Sequence, residues 1–165
     1  LGIAKGTLYH YYCSKEELLN AVICEEVNQL FYKLKESLKN SPKDPVSKLI
    51  NLIRSGQVSA EQQGTLKKLH KPGNYFMHSQ MLAVMVLKLS KIYAEVIQEG
   101  CKEGVFETDC PLESAEFLLA GIQFITDDGF YPWSKDALQR RQLKVSNLIE
   151  SQLKAPKGSF SSVIF

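Results

Sequence analysis

Residues 1–23 read LGIAKGTLYHYYCSKEELLNAVI, and this stretch decides the reading of the chain. Gly2 marks a turn, a very short helix over about 4–11 follows, and a long helix begins directly after it. Ser14-Lys15-Glu16-Glu17 is a capping box: the Ser14 hydroxyl can accept from the Glu17 amide while the Glu17 carboxylate reaches back. Ile3, Leu8 and Tyr12 stand at helical spacings that turn them inward. That leaves Lys5, Gly6, Thr7, Tyr9, His10, Tyr11 and Lys15 outward. Two cations, a hydroxyl, ring-borne donors and a glycine that permits close backbone approach suit phosphate oxygens and base edges in a major groove. A turn followed by a short presented helix is the second half of a helix-turn-helix.

Helical period continues almost throughout the rest of the chain. The first long helix carries Leu19, Ile23, Leu30, Phe31, Leu34 and Leu38 on one side and stops near Asn40, before Pro42. Asp44-Pro45 is a start signal, with Asp as N-cap and Pro in the first helical position. Val46, Leu49, Ile50, Ile53, Gln57 and Ala60 form the next stripe, which Gly64 interrupts, and a short helix is expected over Thr65–His70. A long amphipathic segment spans about Asn74 to Lys102 and stops at Gly104. Pro111 opens another helix to about Asp127, and Ser134 caps a last one to about Leu153. About six helices and no alternating strand pattern make the class all-α: a helical bundle of residues 15–153 preceded by a partial helix-turn-helix in residues 1–14. Residues 154–165 lack a period and are expected to form a flexible tail.

Within 111–127, Ala115, Leu118, Leu119, Ile122 and Ile125 form one stripe, and Phe117, Ala120, Gly121 and Phe124 form a second, rotated from it. A helix apolar on two faces is buried on two faces. Either it is central in its own bundle, or its second face meets a partner, and the Ala120-Gly121 pair permits close approach of another helix. With Leu138, Val145, Leu148, Ile149 and Gln152 on the last helix, two copies would form a four-helix interface. The expected homodimer contact set is Phe117, Leu118, Gly121, Ile122, Ile125, Leu138, Val145, Leu148, Ile149 and Gln152.

Composition narrows the classes. The chain has 165 residues, 44% apolar and 23% charged, with formal net charge +2. A chain of this size buries roughly 70% of its unfolded surface and needs no disulfide or metal to hold a core. The longest apolar run, Met81 to Leu87, is seven residues, against the ~18 of a spanning helix. Cys13, Cys24, Cys101 and Cys110 include no CxxC and no neighbouring His at ligand spacing, so they read as reduced thiols of a cytoplasmic protein rather than a metal site. Residues 41–73 and 134–165 are net basic and 111–133 net acidic, without a polybasic block. No nucleophile motif, phosphate loop or metal spacing is present. The close carboxylate pairs, Glu25-Glu26 and Asp127-Asp128, are adjacent and diverge on a helix, so the chain is not read as an enzyme.

Residues 1–23 closely resemble the end of the DNA-binding domain of tetracycline-repressor-type (TetR-like) transcriptional regulators. Gly2, Gly6, Thr7, Leu8, Tyr9, Tyr11, Tyr12, Ser14, Lys15, Glu16 and Leu18 fall in register with that family's pattern. A second, weaker resemblance runs through Ile97-Gln98-Glu99-Gly100, Gly104-Val105-Phe106, Asp109, Ala115 and Gly121, similar to the join between the family's two long C-terminal helices. The resemblance implies a dimeric, ligand-responsive repressor bound to a double-stranded operator and released by a small-molecule effector, with no cofactor. Lys5, Gly6, Thr7, Tyr9, Tyr11 and Lys15 match positions that touch DNA in the family, and His10 a more variable one. The family usually has Ser or Thr where this chain has Ala4, a lost cap that costs about 1 kcal/mol. Two helices of the family's reading module would precede Leu1. Residues 1–165 alone are therefore expected not to hold an operator tightly, and a dimeric effector-binding protein without DNA binding is the alternative.

The resemblance also implies a cavity between the middle helices. Phe31, His70, Tyr75, Phe76, Met77, Gln80, Met81, Met85, Phe117 and Phe124 offer a soft aromatic lining for an unidentified effector. His70, His78 and Gln80 supply polar groups that can orient it. The same Met and Phe pattern also suits plain core.

Overall fold

The computed structural model describes residues 10–56, 73–127 and 129–163. Five α-helices and no strand occur among them: α1 Lys15–Lys39, α2 Pro45–Gly56, α3 Tyr75–Lys102, α4 Pro111–Thr126 and α5 Lys135–Leu153. The all-α expectation holds. The Thr65–His70 helix, Gln57, Ala60 and residues 1–9 lie outside the described residues.

Local chemistry starts each helix. Ser14 Oγ accepts from the Glu17 amide at 3.0 Å, and the Cys13 amide donates to Glu17 Oε2 at 2.6 Å. The reciprocal arm of the capping box thus reaches one residue beyond the cap itself. Asp44 Oδ1 accepts from the Ser47 amide at 2.8 Å, with Pro45 in the first turn of α2. Ser134 Oγ accepts from the Ala137 amide at 3.2 Å and starts α5. Pro111 opens α4.

α3 is the central element, packing along α4, α1 and α2, while α5 leans on α4. The core is built from Ile23, Val27 and Leu34 of α1, Leu49 and Leu52 of α2, Leu89, Ile92, Tyr93, Val96 and Ile97 of α3, and Val145, Ile149 and Leu153 of α5. Burial without a counter-charge pushes the Tyr93 phenol well above its usual range. Two polar ties fix α3 against its neighbours. Lys88 Nζ donates to Asn28 Oδ1 of α1 at 2.6 Å, and Lys48 Nζ of α2 reaches Glu99 Oε1 and Oε2 at 2.5 and 2.7 Å.

The turn from α3 to α4 depends on two glycines. Gly104 has φ +72°, a left-handed conformation that side chains resist. A Cβ at Gly100 would collide with the Phe106 ring, so the glycine lets that ring lie against the helix backbone. The amides of Val105 and Phe106 both donate to the Gly100 carbonyl, at 2.8 and 3.1 Å.

Residues 154–163 correct the expectation of a flexible tail at 154–165, and 164–165 lie outside the described residues. α5 ends with Lys154 in a left-handed conformation, which folds the chain back. Phe160 is fully buried, with its ring 6.2 Å from that of Phe106, and Val163 is buried as well. The Phe160 amide donates to Glu150 Oε1 at 3.0 Å, and Arg54 donates to the Ser162 carbonyl at 2.8 Å. The segment has no helical period because its two anchors fill a gap formed by other elements.

Candidate functional site

Of the residues read as DNA-facing, His10, Tyr11 and Lys15 are described, and all three are exposed. Tyr11 is 72% exposed, its ring edge-on to His10 at 5.4 Å. His10 and Tyr11 are helical, and Tyr12 is half-buried, as its inward reading requires. Lys5, Gly6, Thr7 and Tyr9 lie outside the described residues.

The described residues of the expected effector set divide between the core margin and the surface. Phe31, Met77, Met81 and Met85 are half-buried and packed against the core. Tyr75, Phe76, Phe117 and Phe124 are exposed at 49, 64, 67 and 43%. Gln80 is half-buried on α3, and His70 lies outside the described residues. A cavity of about 220 Å³ instead lies on the α3–α4 seam, lined by Ser79, Leu82, Ala83, Val86, Ala120, Gln123 and Phe124. Only Phe124 is common to the two sets. Met85 lies beside this wall, where Gln123 Nε2 approaches its sulfur at 4.0 Å. The carbonyl oxygen Oε1 of Gln123 is buried and has no hydrogen-bond partner among the described residues.

The homodimer set divides between two environments. Phe117, Gly121, Ile125, Leu148 and Gln152 are exposed, and Leu118, Ile122 and Leu138 are half-buried. Val145 and Ile149 are 4 and 1% exposed, inside the chain's own core. These two are corrected to core residues, because α5 turns that stripe inward and leaves Leu148 outward at 62% exposure.

Where α4 leaves its last turn, the structure assembles a cluster that the sequence reading missed. His78 is fully buried, with Nε2 2.9 Å from Asp127 Oδ2, and its ring stacks on Phe130 at 4.7 Å. Phe124 adjoins Phe130 and Tyr131 at 4.8 and 5.5 Å, and Tyr131 stacks on Trp133 at 5.1 Å. Arg141 lies 3.5 Å over the Trp133 ring, and Trp133 Nε1 donates to the Ile125 carbonyl at 3.0 Å. This knot ties the start of α3 to the α4–α5 connection. Four aromatic residues within ten positions, 124–133, were the available signal.

No group of three or more His, Cys, Asp or Glu placed to hold a metal occurs among the described residues. No described helix is long and apolar enough to cross a membrane.

A family model described as "Tetracyclin repressor-like, C-terminal domain" matches residues 57–150, more than half of the chain, and one described as "Bacterial regulatory proteins, tetR family" matches residues 1–22. The chain belongs to the TetR family. No curated protein matches it. In TetR terms, residues 1–22 fall within the family's N-terminal helix-turn-helix domain. α3, α4 and most of α5 fall within the C-terminal domain. The protein is thus a transcriptional regulator. The Gly100–Phe106 contact gives the second stretch of family resemblance a physical basis, since that turn sets how α3 and α4 meet.

Proposed function

We propose that the protein is a cytoplasmic, homodimeric repressor that binds an operator through Lys5, Gly6, Thr7, Tyr9, His10, Tyr11 and Lys15 and releases it when a small molecule binds between its helices. The observation that carries this reading is the presence on one chain of both family matches, at 1–22 and at 57–150. The helical geometry supports a route for the response. α1 starts at the Ser14 cap, directly after the reading segment, and its 25 residues extend about 37 Å at 1.5 Å per residue. Its buried face, Ile23, Val27 and Leu34, and the Lys88–Asn28 bond couple it to α3.

A displacement of α3 therefore swings the start of α1. A tilt of about 5° over a helix of that length moves the far end by about 3 Å. Two reading helices must sit about 34–36 Å apart to enter successive major grooves, so a movement of that size changes fit. A ligand drives it only by binding the two arrangements with different affinity.

In vitro selection from random duplexes with the intact protein tests the proposal. The expected product is a near-palindrome with half-sites one helical turn apart. Lys5→Ala should weaken binding evenly across sequences and lower the salt slope by about one. No enriched sequence, in a protein that still binds a small molecule, overturns the operator reading.

A further inference from the structure

The α3–α4 seam carries a small, partly open pocket whose accessible surface is almost wholly apolar. Its walls are Ser79, Leu82, Ala83 and Val86 on α3 and Ala120, Gln123 and Phe124 on α4. No charged residue is among them, so an ionised ligand would shed its hydration without a counter-charge to replace it. The Phe124 ring, 43% exposed, offers a face on which a flat π-system can stack. An apolar cavity of about 150 Å³ takes a single benzene ring, and drug-sized sites begin near 300 Å³. About 220 Å³ lies between them, the room for one or two fused rings.

Gln123 supplies the polar handle. Its Nε2 has a long contact with the Met85 sulfur at 4.0 Å, while its Oε1 is buried without a partner among the described residues. A buried carbonyl left unpaired is costly, and a rotation of the amide toward the pocket would let a ligand hydroxyl or ring N–H satisfy it.

We infer that this seam is the effector site, taking a compact, neutral, aromatic molecule of one or two rings with a single hydrogen-bond donor aimed at Gln123. The inference rests on the ligand-responsive reading above and relocates its site from the Met and Phe cluster to the small-residue seam. Ala120 and Phe124 share the stripe that carries exposed Phe117 and Gly121, so an occupant adjoins the proposed contact between copies. A molecule wedged there shifts α4 against α3, the helix that holds α1.

The test uses 2-naphthol, and naphthalene as the same ring system without the donor, titrated into the chain by fluorescence. 2-Naphthol should bind with a dissociation constant on the order of 100 μM or tighter, and about tenfold better than naphthalene. Gln123→Leu should bring the two affinities together. Ala83→Phe fills the pocket from an exposed position, and Ala120→Phe does so from the opposite wall. Each should weaken both probes at least about tenfold, and Ala83→Phe should leave the melting temperature unchanged, as expected for an exposed site outside the proposed contact between copies. Wild-type protein that binds neither probe, or an Ala83→Phe and Ala120→Phe pair that binds as wild type, overturns the assignment. Operator selection reads the parent proposal separately. DNA binding without naphthol binding sinks the seam alone, and naphthol binding without DNA binding sinks the repressor and leaves the seam.

Discussion

Replacing Phe160 with alanine removes a ring that is 0% exposed and stacked near Phe106. A buried Phe→Ala change loses the transfer energy of the ring and leaves a cavity, together about 3–5 kcal/mol. Domains of this size are stable by about 5–15 kcal/mol, so the variant forfeits roughly a third of the total. At about 2–4 °C per kcal/mol for chains of 150–250 residues, the melting temperature should fall by roughly 10 °C. The backbone bond from residue 160 to Glu150 Oε1 survives the change, so the loss isolates the side chain.

Thermal and urea unfolding followed by far-ultraviolet circular dichroism measure it, at one fixed protein concentration because association shifts apparent stability. The urea midpoint should move while the slope does not, since a single side chain barely alters the surface exposed on unfolding. Phe160→Leu refills most of the volume and should cost only about 1–2 kcal/mol. Lys157→Ala, an exposed position in the same segment, should stay within about 0.5 kcal/mol of wild type. A Phe160→Ala melting point within about 2 °C of the Lys157→Ala value would refute the packed C-terminal segment and the core drawn around Phe106.

Two shorter predictions concern the other ends of the molecule. The Ser47 amide, then the Ser47 hydroxyl, hydrogen-bond to Asp44 and hold its carboxyl below the usual 3.8. A depressed folded-state value stabilises the fold in full above the ordinary value, and the gain disappears as pH falls through the folded one. Asp44→Asn keeps an acceptor at the cap but does not titrate, so wild type should exceed it in urea stability at pH 7 and lose that margin progressively as the pH falls below the ordinary carboxylate range; a margin that does not shrink in acid would contradict the cap. Phe117, 67% exposed on α4, is the test of the proposed homodimer. Phe117→Glu should weaken self-association about 30-fold or more by analytical ultracentrifugation, and an undiminished dimer would place the contact elsewhere.

Element boundaries were legible because their causes are local. Ser14, Asp44, Pro111 and Ser134 announce helix starts within three or four residues of themselves, and Gly104 announces a stop in the same way. The C-terminal segment was not legible, because burial of Phe160 and Val163 depends on Phe106 and Glu150, which the fold brings together from other elements. A helical period also says which residues share a face without saying where cover ends. Leu148 and Ile149 are neighbours in the same stripe, yet one is 62% exposed and the other 1%. Ile149 lies in the core cluster with Leu153 and Phe160, and Leu148, one residue round the helix, lies outside it.

The proposed effector seam was hard to read for a related reason. The expected effector set was chosen by bulk, and bulky apolar side chains in a bundle either pack against the core, as Met77, Met81 and Met85 do, or protrude, as Phe76 and Phe117 do. A pocket needs missing atoms rather than large ones. Two contacts bridge α3 and α4 along the seam, Met85 to Gln123 in the middle and His78 to Asp127 at the end. With the helices joined there, Ala83 on one side and Ala120 on the other leave space between them. A sequence pattern that pairs small residues across a helix seam with a lone amide between larger neighbours is the signal that would have pointed to the proposed seam. Enlarging either alanine should close the site without touching the core that the aromatic and methionine residues hold.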